Sequence, residues 1–251
     1  MFEPRSPIRR IVGPSRYRVA MSERWFEGPL LGFDTETTGV ALDRDRIIQA
    51  ALVSGTGAPG GETAGVWLIN PGVPIPPGAT RVHGITDEQV QAEGIPPEEA
   101  LAQVAAALRG AVEGGVPVVA YRAGFDCTML SYELERHGIA QPDWANMAIV
   151  DPSVLDKQVD RYRRGKRTLG VTAAHYGVPH AEAHSAAGDA AATVALARAI
   201  GAMYPEVGDV TASDLHAAQV QWFAEDAAGL EAYFRRKGRE EAVDRRWPLC
   251  R

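Results

Sequence analysis

Three strand-like segments follow one another early in the chain, and strand-like segments alternate with helical ones after them. The first runs from Leu30 to Glu36, the second from Ile47 to Val53 and the third from Thr63 to Ile69. Consecutive strands joined by short connections predict an antiparallel meander, and a later strand–helix alternation predicts parallel crossovers. The sequence therefore predicts an α/β fold, with a mixed five-stranded sheet flanked by helices and followed by a C-terminal helical extension.

Apolar periodicity and capping residues place the remaining elements. Short apolar runs predict further strands at Val116–Ala120 and Ala148–Val150. The predicted helices are a short one capped by Thr86, Pro96–Leu108, Phe125–His137, Thr168–Tyr176, Ser185–Tyr204 and Leu215–Lys237. The segment from Pro205 to Asp214 interrupts the pattern, so the last helix is predicted to form an extension of the sheet domain.

The chain divides into three predicted parts. Residues 1–25 contain scattered arginines and prolines without an apolar period, which predicts a flexible basic arm. Residues 26–205 form the predicted α/β domain, and residues 206–251 form the helical extension. We expect the extension helix to dock on its own core, with a partner or a second copy of the chain as alternatives.

Composition excludes several classes of protein. No apolar run approaches the ~20 residues of a membrane span, and two cysteines cannot build a disulfide scaffold, so we expect a cytoplasmic protein without membrane contact. A net charge of −6 is unfavourable for tight binding to long duplex DNA. The same charge suits an enzyme that binds phosphates through metal ions, because such ions prefer carboxylates as protein ligands.

The first candidate site is a pair of carboxylates on the first strand. Asp34 and Glu36 are two residues apart, so both side chains lie on the same face of the strand. Two adjacent carboxylates near the end of a buried strand repel each other, and a divalent cation would relieve that repulsion. The alternative is a pair of solvated carboxylates.

Three more candidates stand at predicted strand ends or helix starts. Asp126 follows a buried strand, at the carboxyl edge of the sheet where ligands of α/β folds bind, although helix capping is an alternative. If Ser185 is an N-cap, His184 lies on the preceding loop and Asp189 in the first turns of the helix, so both can reach one cleft. Alternatively, His184 is an exposed loop histidine and Asp189 complements the helix dipole.

Taken in order, these motifs resemble the DEDDh family of 3′–5′ exonucleases, and in particular its branch of proofreading epsilon subunits and their stand-alone relatives. The matching segments are Gly32–Gly39, Asn70–Gly72 with Ile75–Pro77, His83–Glu88, Gly124–Asp126 and His184–Asp189. The resemblance implies an RNase H-like fold and a phosphodiester hydrolase that removes nucleoside 5′-monophosphates from 3′ ends, with single-stranded DNA as the expected substrate.

The resemblance also implies two Mg²⁺ or Mn²⁺ ions and a role for each candidate. Asp34 would contact both ions, Glu36 and Asp189 would complete one site, and Asp126 would serve the second. His184 would take the proton from the attacking water, a role that suits an imidazole near neutral pH.

Substrate-binding residues follow from the same resemblance. Thr37, Gly39 and Val40, together with His83, would form the pocket for the terminal nucleotide, with Val40 wedged against its base. Ordinary core packing is the alternative for Val40. Arg122 stands where the family often has asparagine, within Ala-Tyr-Arg-Ala in place of Ala-His-Asn-Ala, and it either binds a phosphate or is solvated.

The most basic stretch of the sequence runs from Arg161 to Arg167. Its residues Arg163, Arg164 and Lys166 would contact phosphates, and Tyr162 would stack on a base of a single strand. A solvated loop is the alternative.

Two other functions stay open. One is a 3′–5′ exonuclease that acts on RNA, because no visible motif distinguishes the ribose of RNA from the deoxyribose of DNA. The other is an interaction module that has the fold but no catalytic activity. The presence of all five candidate catalytic residues argues against it. The expected protein partner is a DNA polymerase, as in proofreading or repair, or a second copy of the chain.

Overall fold

The computed structural model describes residues 24–55, 62–180 and 185–251. Its strands are β1 (Leu30–Thr37), β2 (Ile47–Gly55), β3 (Glu62–Leu68), β4 (Val118–Val119) and β5 (Ile149–Val150). They form one sheet in the order β3-β2-β1-β4-β5. β1 and β3 both pair antiparallel with β2, whereas β4 pairs parallel with β1 and with β5. This arrangement confirms the predicted mixed five-stranded sheet and places β1 at its centre.

Helices surround this sheet. They are α1 (Pro77–His83), α2 (Asp87–Glu93), α3 (Pro97–Glu113), α4 (Ala123–Arg136), α5 (Pro152–Val159), α6 (Leu169–His175), α7 (Ala186–Met203), α8 (Pro205–Gly208) and α9 (Ala212–Arg236). Thr86 caps α2 as predicted, since its side chain accepts from the amide of Gln89 at 3.2 Å. Within the described ranges, no helix is long and apolar enough to cross a bilayer.

Three short helices, α1, α5 and α8, were not predicted from the sequence. Each begins with a proline in its first turn. Proline is well tolerated there because the first helical amide has no intrahelical partner. In a single sequence the same prolines favour a loop, which explains the difference.

Two apolar clusters cover the two faces of β1. Phe33 belongs to a cluster with residues of α3 and α4, whereas Leu30 belongs to a cluster with residues of α7. Side chains three apart on a strand point to opposite faces. Asp34 and Glu36 therefore share the face of Leu30, towards α7, and Thr35 shares the face of Phe33, towards α4.

The packed core extends across both predicted domain boundaries. Residues 1–23 of the predicted arm lie outside the described residues, but Trp25 is buried and its indole Nε1 donates to the carbonyl of Val207 at 2.8 Å. Trp247, in the predicted extension, is buried in the cluster around Phe33.

Helix α9 docks on the edge strand β5, in agreement with the expectation that it packs on its own core. The buried Gln219 accepts from the amide of Asp151 at 2.7 Å and donates to the carbonyl of Ile149 at 2.9 Å. The His216 Nδ1 accepts from the amide of Ile149 at 3.1 Å. These contacts satisfy the backbone groups that an edge strand otherwise leaves free.

Candidate active site

Three carboxylates meet where β1 passes the start of α7. Asp34 and Glu36 extend from β1 and Asp189 from the first turn of α7, and each offers an oxygen within 4.8 Å of the other two. Ser185 is the N-cap of α7, because its Oγ accepts from the amide of Gly188 at 3.0 Å, which confirms that sequence prediction. The cap places Asp189 at the helix end nearest the strand.

A glycine allows this close approach of strand and helix. A Cβ added to Gly32 would lie 2.7 Å from the carbonyl oxygen of Ala190 and 2.8 Å from a methyl carbon of Val194. Gly32 lies two residues before Asp34, and Ala190 directly follows Asp189. The contact therefore positions the two ends of the carboxylate cluster against each other.

Burial and mutual repulsion make this cluster electrostatically unfavourable when all its members are ionised. Burial raises the pKa of Asp34 well above its usual range, and the charges of Asp126, Asp189 and Glu36 raise it further. Burial, followed by the charges of Asp189 and Asp126, raises the pKa of Glu36 to about 7. A compensating positive charge is therefore needed for full ionisation at neutral pH.

The fourth predicted carboxylate, Asp126, lies beside this cluster on α4. Its side chain is 4% exposed, and its Oδ1 accepts from the hydroxyl of Thr35 at 2.6 Å and from the amide of Thr35 at 3.0 Å. Burial raises the pKa of Asp126 to about 7, although the hydrogen bonds from Thr35 oppose that rise. Thr35 stands between Asp34 and Glu36, so it connects Asp126 to the cluster.

A buried aspartate outside the predicted set, Asp151, fixes the start of α4. Its carboxylate accepts from the amides of Arg122 at 3.0 Å, Ala123 at 2.9 Å and Ser153 at 2.8 Å. Arg122 has a left-handed backbone (φ 60°), which a non-glycine residue adopts at some cost. The aspartate at the end of a short strand was the available sequence signal, but it does not reveal the long-range contact to Arg122.

The carboxylate cluster fits a hard divalent cation. Mg²⁺ and Ca²⁺ coordinate oxygen at ~2.0–2.6 Å, so two oxygens bound to one ion are at most about 5 Å apart. The three carboxylate oxygens satisfy that limit, since they lie within 4.8 Å of one another. The raised pKa values of Asp34 and Glu36 indicate that the same site favours positive charge.

The predicted base, His184, lies outside the described residues. A different histidine, His180, follows α6, and its Nε2 lies 2.5 Å from Oδ1 of Asp189. No residue pattern in the sequence pointed to His180, because its contact with Asp189 depends on the tertiary structure.

The end of β1 and the loop after it hold three of the predicted substrate residues, Thr37, Gly39 and Val40. The hydroxyl of Thr37 donates to the carbonyl of Gly39 at 2.6 Å, and a Cβ added to Gly39 would lie 2.4 Å from the carboxylate of Asp45. Asp45, which the sequence analysis did not single out, also accepts from the amide of Ala41 at 2.7 Å. Val40 is 84% exposed, which excludes core packing as its role.

Another predicted substrate residue, His83, is at the end of α1. Its Nδ1 accepts from the amide of Ile85 at 3.0 Å, so the ring proton is on Nε2. The buried Nε2 has no hydrogen-bond partner within the part of the chain that the structure describes. Burial lowers the pKa of His83, which keeps this ring neutral near pH 7.

The basic run after α5 divides into structural and exposed residues. Arg163 is 7% exposed, and its guanidinium donates to the fully buried carboxylate of Asp156 at 2.7 and 3.1 Å. Arg167 binds the same carboxylate. Arg164 and Lys166 are exposed. This differs from the phosphate-binding prediction for Arg163, because Asp156 already occupies its guanidinium through a contact that the sequence does not show.

Comparison with known proteins gives the family of this chain. Residues 31–197 match the family model RNase_T, which is described as Exonuclease. The chain belongs to this exonuclease family. The matched range includes all five predicted catalytic residues, and the family agrees with the resemblance found in the sequence.

Curated relatives of this exonuclease include a DNA polymerase III subunit epsilon-like protein from Rhodobacter capsulatus, 33% identical over 171 residues. That match covers 64% of this chain and 22% of the relative. An uncharacterized exonuclease, CP81, from Escherichia phage 186 is 39% identical over 69 residues, which cover 28% of this chain and 33% of the phage protein.

Solved structures share the fold of this exonuclease. E. coli exonuclease I in complex with a dA16 oligonucleotide has a TM-score of 0.60 at 20% identity, covering 82% of this chain and 45% of that one. Exonuclease I from Methylocaldum szegediense has a TM-score of 0.60 at 21% identity, with 82% and 46% covered. The chain thus spans less than half the length of these structures and at most a third of the curated relatives above.

Proposed function

We propose that this chain is a divalent-cation-dependent 3′–5′ exonuclease that releases nucleoside 5′-monophosphates from the 3′ ends of single-stranded DNA. The observation that carries the proposal is the convergence of Asp34, Glu36 and Asp189 within 4.8 Å in a chain of the exonuclease family. The raised pKa values of Asp34 and Glu36 support it, since clustered carboxylates without a cation are unfavourable.

Asp34, Glu36, Asp189 and Asp126 would hold two Mg²⁺ or Mn²⁺ ions. When bound, such ions stabilise the attacking and leaving oxygens of an in-line phosphodiester displacement. Thr35 holds Asp126 against β1 through two hydrogen bonds. The contact at Gly32 keeps α7, and with it Asp189, against β1.

His184 is the proposed general base, on the strength of the sequence motif. A histidine is suited to accept a proton from water near neutral pH. His180 stays close to the cluster through Asp189, so it is the residue to compare with His184.

The loop after β1 and the end of α1 would bind the terminal nucleotide. Val40 offers an exposed apolar surface for the last base. His83 offers the unpaired Nε2 donor, which favours a polar oxygen of the nucleotide as its partner. Gly39 and Asp45 hold the loop in a shape that leaves Val40 outside the core.

The choice of single-stranded DNA, and of a partner, draws on the relatives. E. coli exonuclease I is known in complex with a DNA oligonucleotide, and a second similar structure is a complex of exonuclease I with the SSB C-terminus. The epsilon-like relative suggests a polymerase as partner and proofreading or repair as the process. We propose the same substrate class for this chain, with a polymerase contact as a secondary proposal.

The test is degradation of 5′-labelled and 3′-labelled DNA and RNA strands, single-stranded and duplex, with Mn²⁺ or Mg²⁺ and with chelator. We expect 5′-labelled single-stranded DNA to shorten stepwise, and 3′-labelled DNA to release the labelled mononucleotide first. Asp34→Asn should abolish both signals. Faster loss of RNA would replace the substrate proposal by the RNA alternative, and no cation-dependent loss of any strand would leave the non-catalytic module.

A further inference from the structure

A groove with a cavity volume of about 650 Å³ lies next to the carboxylate cluster. One side is formed by α5 and α9 and the other by the start of α4 and the loop after β1. Phe125, which lines the groove, directly precedes Asp126, and Val40 follows the strand that carries Asp34 and Glu36. The groove is therefore lined by residues that adjoin the proposed catalytic residues in the chain.

Aromatic side chains come into this groove from three parts of the chain. Trp222 and Phe223 of α9 and Phe125 of α4 are half-buried, so their rings are anchored in the core while part of each faces the groove. Tyr162, in the connection after α5, is 90% exposed. Exposed aromatic rings along a groove provide stacking surfaces that accept any base.

Arginines provide positive charge at the same groove. Arg122 and Arg161 are exposed, and both line it. The Arg122 guanidinium has a long hydrogen bond of 3.4 Å to the carbonyl of Arg167. The lining also includes three acidic residues: Asp226 is paired with Lys157 at 2.5 Å, Asp151 accepts backbone amides, and the third is Glu225. Phosphates are the ligands that suit a row of arginines beside aromatic rings.

We propose that this groove binds the nucleotides immediately upstream of the one being removed, and that α9 supplies the stacking surface through Trp222. The occupant is one single strand of nucleic acid, with bases on Trp222 and Tyr162 and phosphates on Arg122 and Arg161. Helix α9 (Ala212–Arg236) lies beyond the residues 31–197 that match the exonuclease family, so Trp222 is the part of this subsite that the extension contributes. The inference rests on the proposed function.

The test compares a minimal substrate with a series of oligonucleotides. The p-nitrophenyl ester of thymidine 5′-monophosphate fills the terminal site and has only a nitrophenyl leaving group in place of the upstream strand, whereas strands of two to twelve nucleotides extend progressively into the groove. For the wild-type protein we expect kcat/KM to increase with strand length until the groove is filled. Tyr162→Ala and Arg161→Ala change exposed residues, and Trp222→Leu removes the indole while keeping an apolar side chain.

Each groove variant should lower kcat/KM for the long strands about tenfold, mainly through KM, since stacking on one ring contributes ~1–3 kcal/mol. Hydrolysis of the ester should not change. Tyr233→Ala is the matched control, because Tyr233 is also exposed on α9 but lies outside the groove. If kcat/KM depends on strand length in Tyr162→Ala and Arg161→Ala as it does in the wild type, the proposal is overturned. It is also overturned if all three variants lose the same factor in kcat/KM on the ester and on the strands.

A binding assay separates failure of the groove from failure of the proposed chemistry. Anisotropy of a labelled twelve-nucleotide DNA strand is measured with Asp34→Asn protein, with and without Tyr162→Ala. We expect the additional change to weaken binding about tenfold. If the protein hydrolyses neither substrate but binding weakens in this way, the exonuclease proposal is refuted and the proposal for the groove stands. If the Tyr162→Ala change does not affect binding, the proposal for the groove is refuted.

Discussion

Gly32 of β1 lies so close to Ala190 of α7 that a Cβ on Gly32 would be 2.7 Å from the Ala190 carbonyl oxygen. This contact joins the strand that carries Asp34 and Glu36 to the helix that carries Asp189. The distance between the carboxylates therefore depends on the absence of a side chain at a residue that takes no part in the chemistry.

Gly32→Ala should destabilise the protein and separate the cluster. The new methyl group meets backbone atoms, which cannot move as easily as the end of a side chain, so we expect a loss of ~1–3 kcal/mol. Denaturant unfolding measures the loss, and nuclease assays should show a lower rate at a given cation concentration. Gly110→Ala is the control, because an added Cβ in α3 meets nothing within 4 Å. Equal stability of Gly32→Ala and wild type would contradict this explanation.

Thr35→Val should change the titration of Asp126. The substitution keeps the shape of the side chain but removes the hydroxyl that donates to Asp126 at 2.6 Å. Because that bond favours the ionised carboxylate, its loss should raise the pKa of Asp126 further and move the acidic limb of the pH–rate profile upwards. We expect a stability loss of ~1–3 kcal/mol from the unsatisfied group.

Thr128→Val is the matched control for this prediction. Thr128 is also buried on α4, and its hydroxyl accepts from the amide of Cys250 at 2.8 Å. Loss of this hydroxyl should lower the stability about as much as Thr35→Val does but should leave the pH–rate profile unchanged. A profile that shifts equally in both variants would mean that Thr35 has no specific influence on Asp126.

The cation-free protein should lose stability as pH rises from about 4 to 7. Free Asp and Glu side chains have pKa values near ~4, whereas Glu36 in the fold has a pKa of about 7. Between these values the folded state binds more protons than the unfolded state, so a rise in pH favours unfolding. Thermal unfolding in chelator from pH 5 to pH 8 measures this contribution.

Added Mn²⁺ should consequently raise Tm more at pH 8 than at pH 5, because the cation replaces the lost protons. Glu36→Gln should flatten the pH dependence and reduce the Mn²⁺ effect. Glu93→Gln, at an exposed position at the end of α2, should behave as wild type. The same pH dependence in Glu36→Gln and wild type would rule out this electrostatic account.

Arg163 and Arg164 should behave differently although they are neighbours. Arg163→Ala removes the bidentate hydrogen bonds to the buried carboxylate of Asp156 while Arg167 stays bound to it, so we expect a stability loss of about 1.5–3 kcal/mol. Arg164→Ala and Lys166→Ala change exposed residues and should leave stability within ~0.5 kcal/mol. If Arg164 and Lys166 contact phosphates, their double variant should also flatten the salt dependence of strand binding.

Unfolding curves and binding titrations at several salt concentrations measure the two effects separately. Equal stability of Arg163→Ala and Arg164→Ala would show that the Asp156 contact contributes little. An unchanged salt slope in the double variant would remove Arg164 and Lys166 from the binding surface.

The roles of His184 and His180 can be told apart by kinetics. His184→Ala should lower kcat by about a hundredfold or more if His184 is the general base. His180→Ala removes the contact with Asp189 and should lower kcat much less, because no proton transfer is assigned to His180. Single-turnover rates at saturating strand measure both. The reverse order would make His180 the base.

Local rules account for the parts of the site that the sequence predicted. Alternation along a strand places Asp34 and Glu36 on one face, and the preference of serine for N-cap positions places Asp189 in the first turn of α7. Both features depend on residues within a few positions of each other, so a single sequence contains the necessary information. The same holds for the order of the main strands and helices, which follows from apolar periodicity.

Contacts between distant residues were decided only by the tertiary structure. The pairing of Asp126 with Thr35, of Asp156 with Arg163 and of Asp189 with His180 depends on which side chains meet after packing. Burial is what turns such a meeting into a raised pKa or a structural ion pair, and burial is a property of the whole fold. The sequence by itself determined which residues stand on β1 and α7, and the tertiary structure decided how close they come.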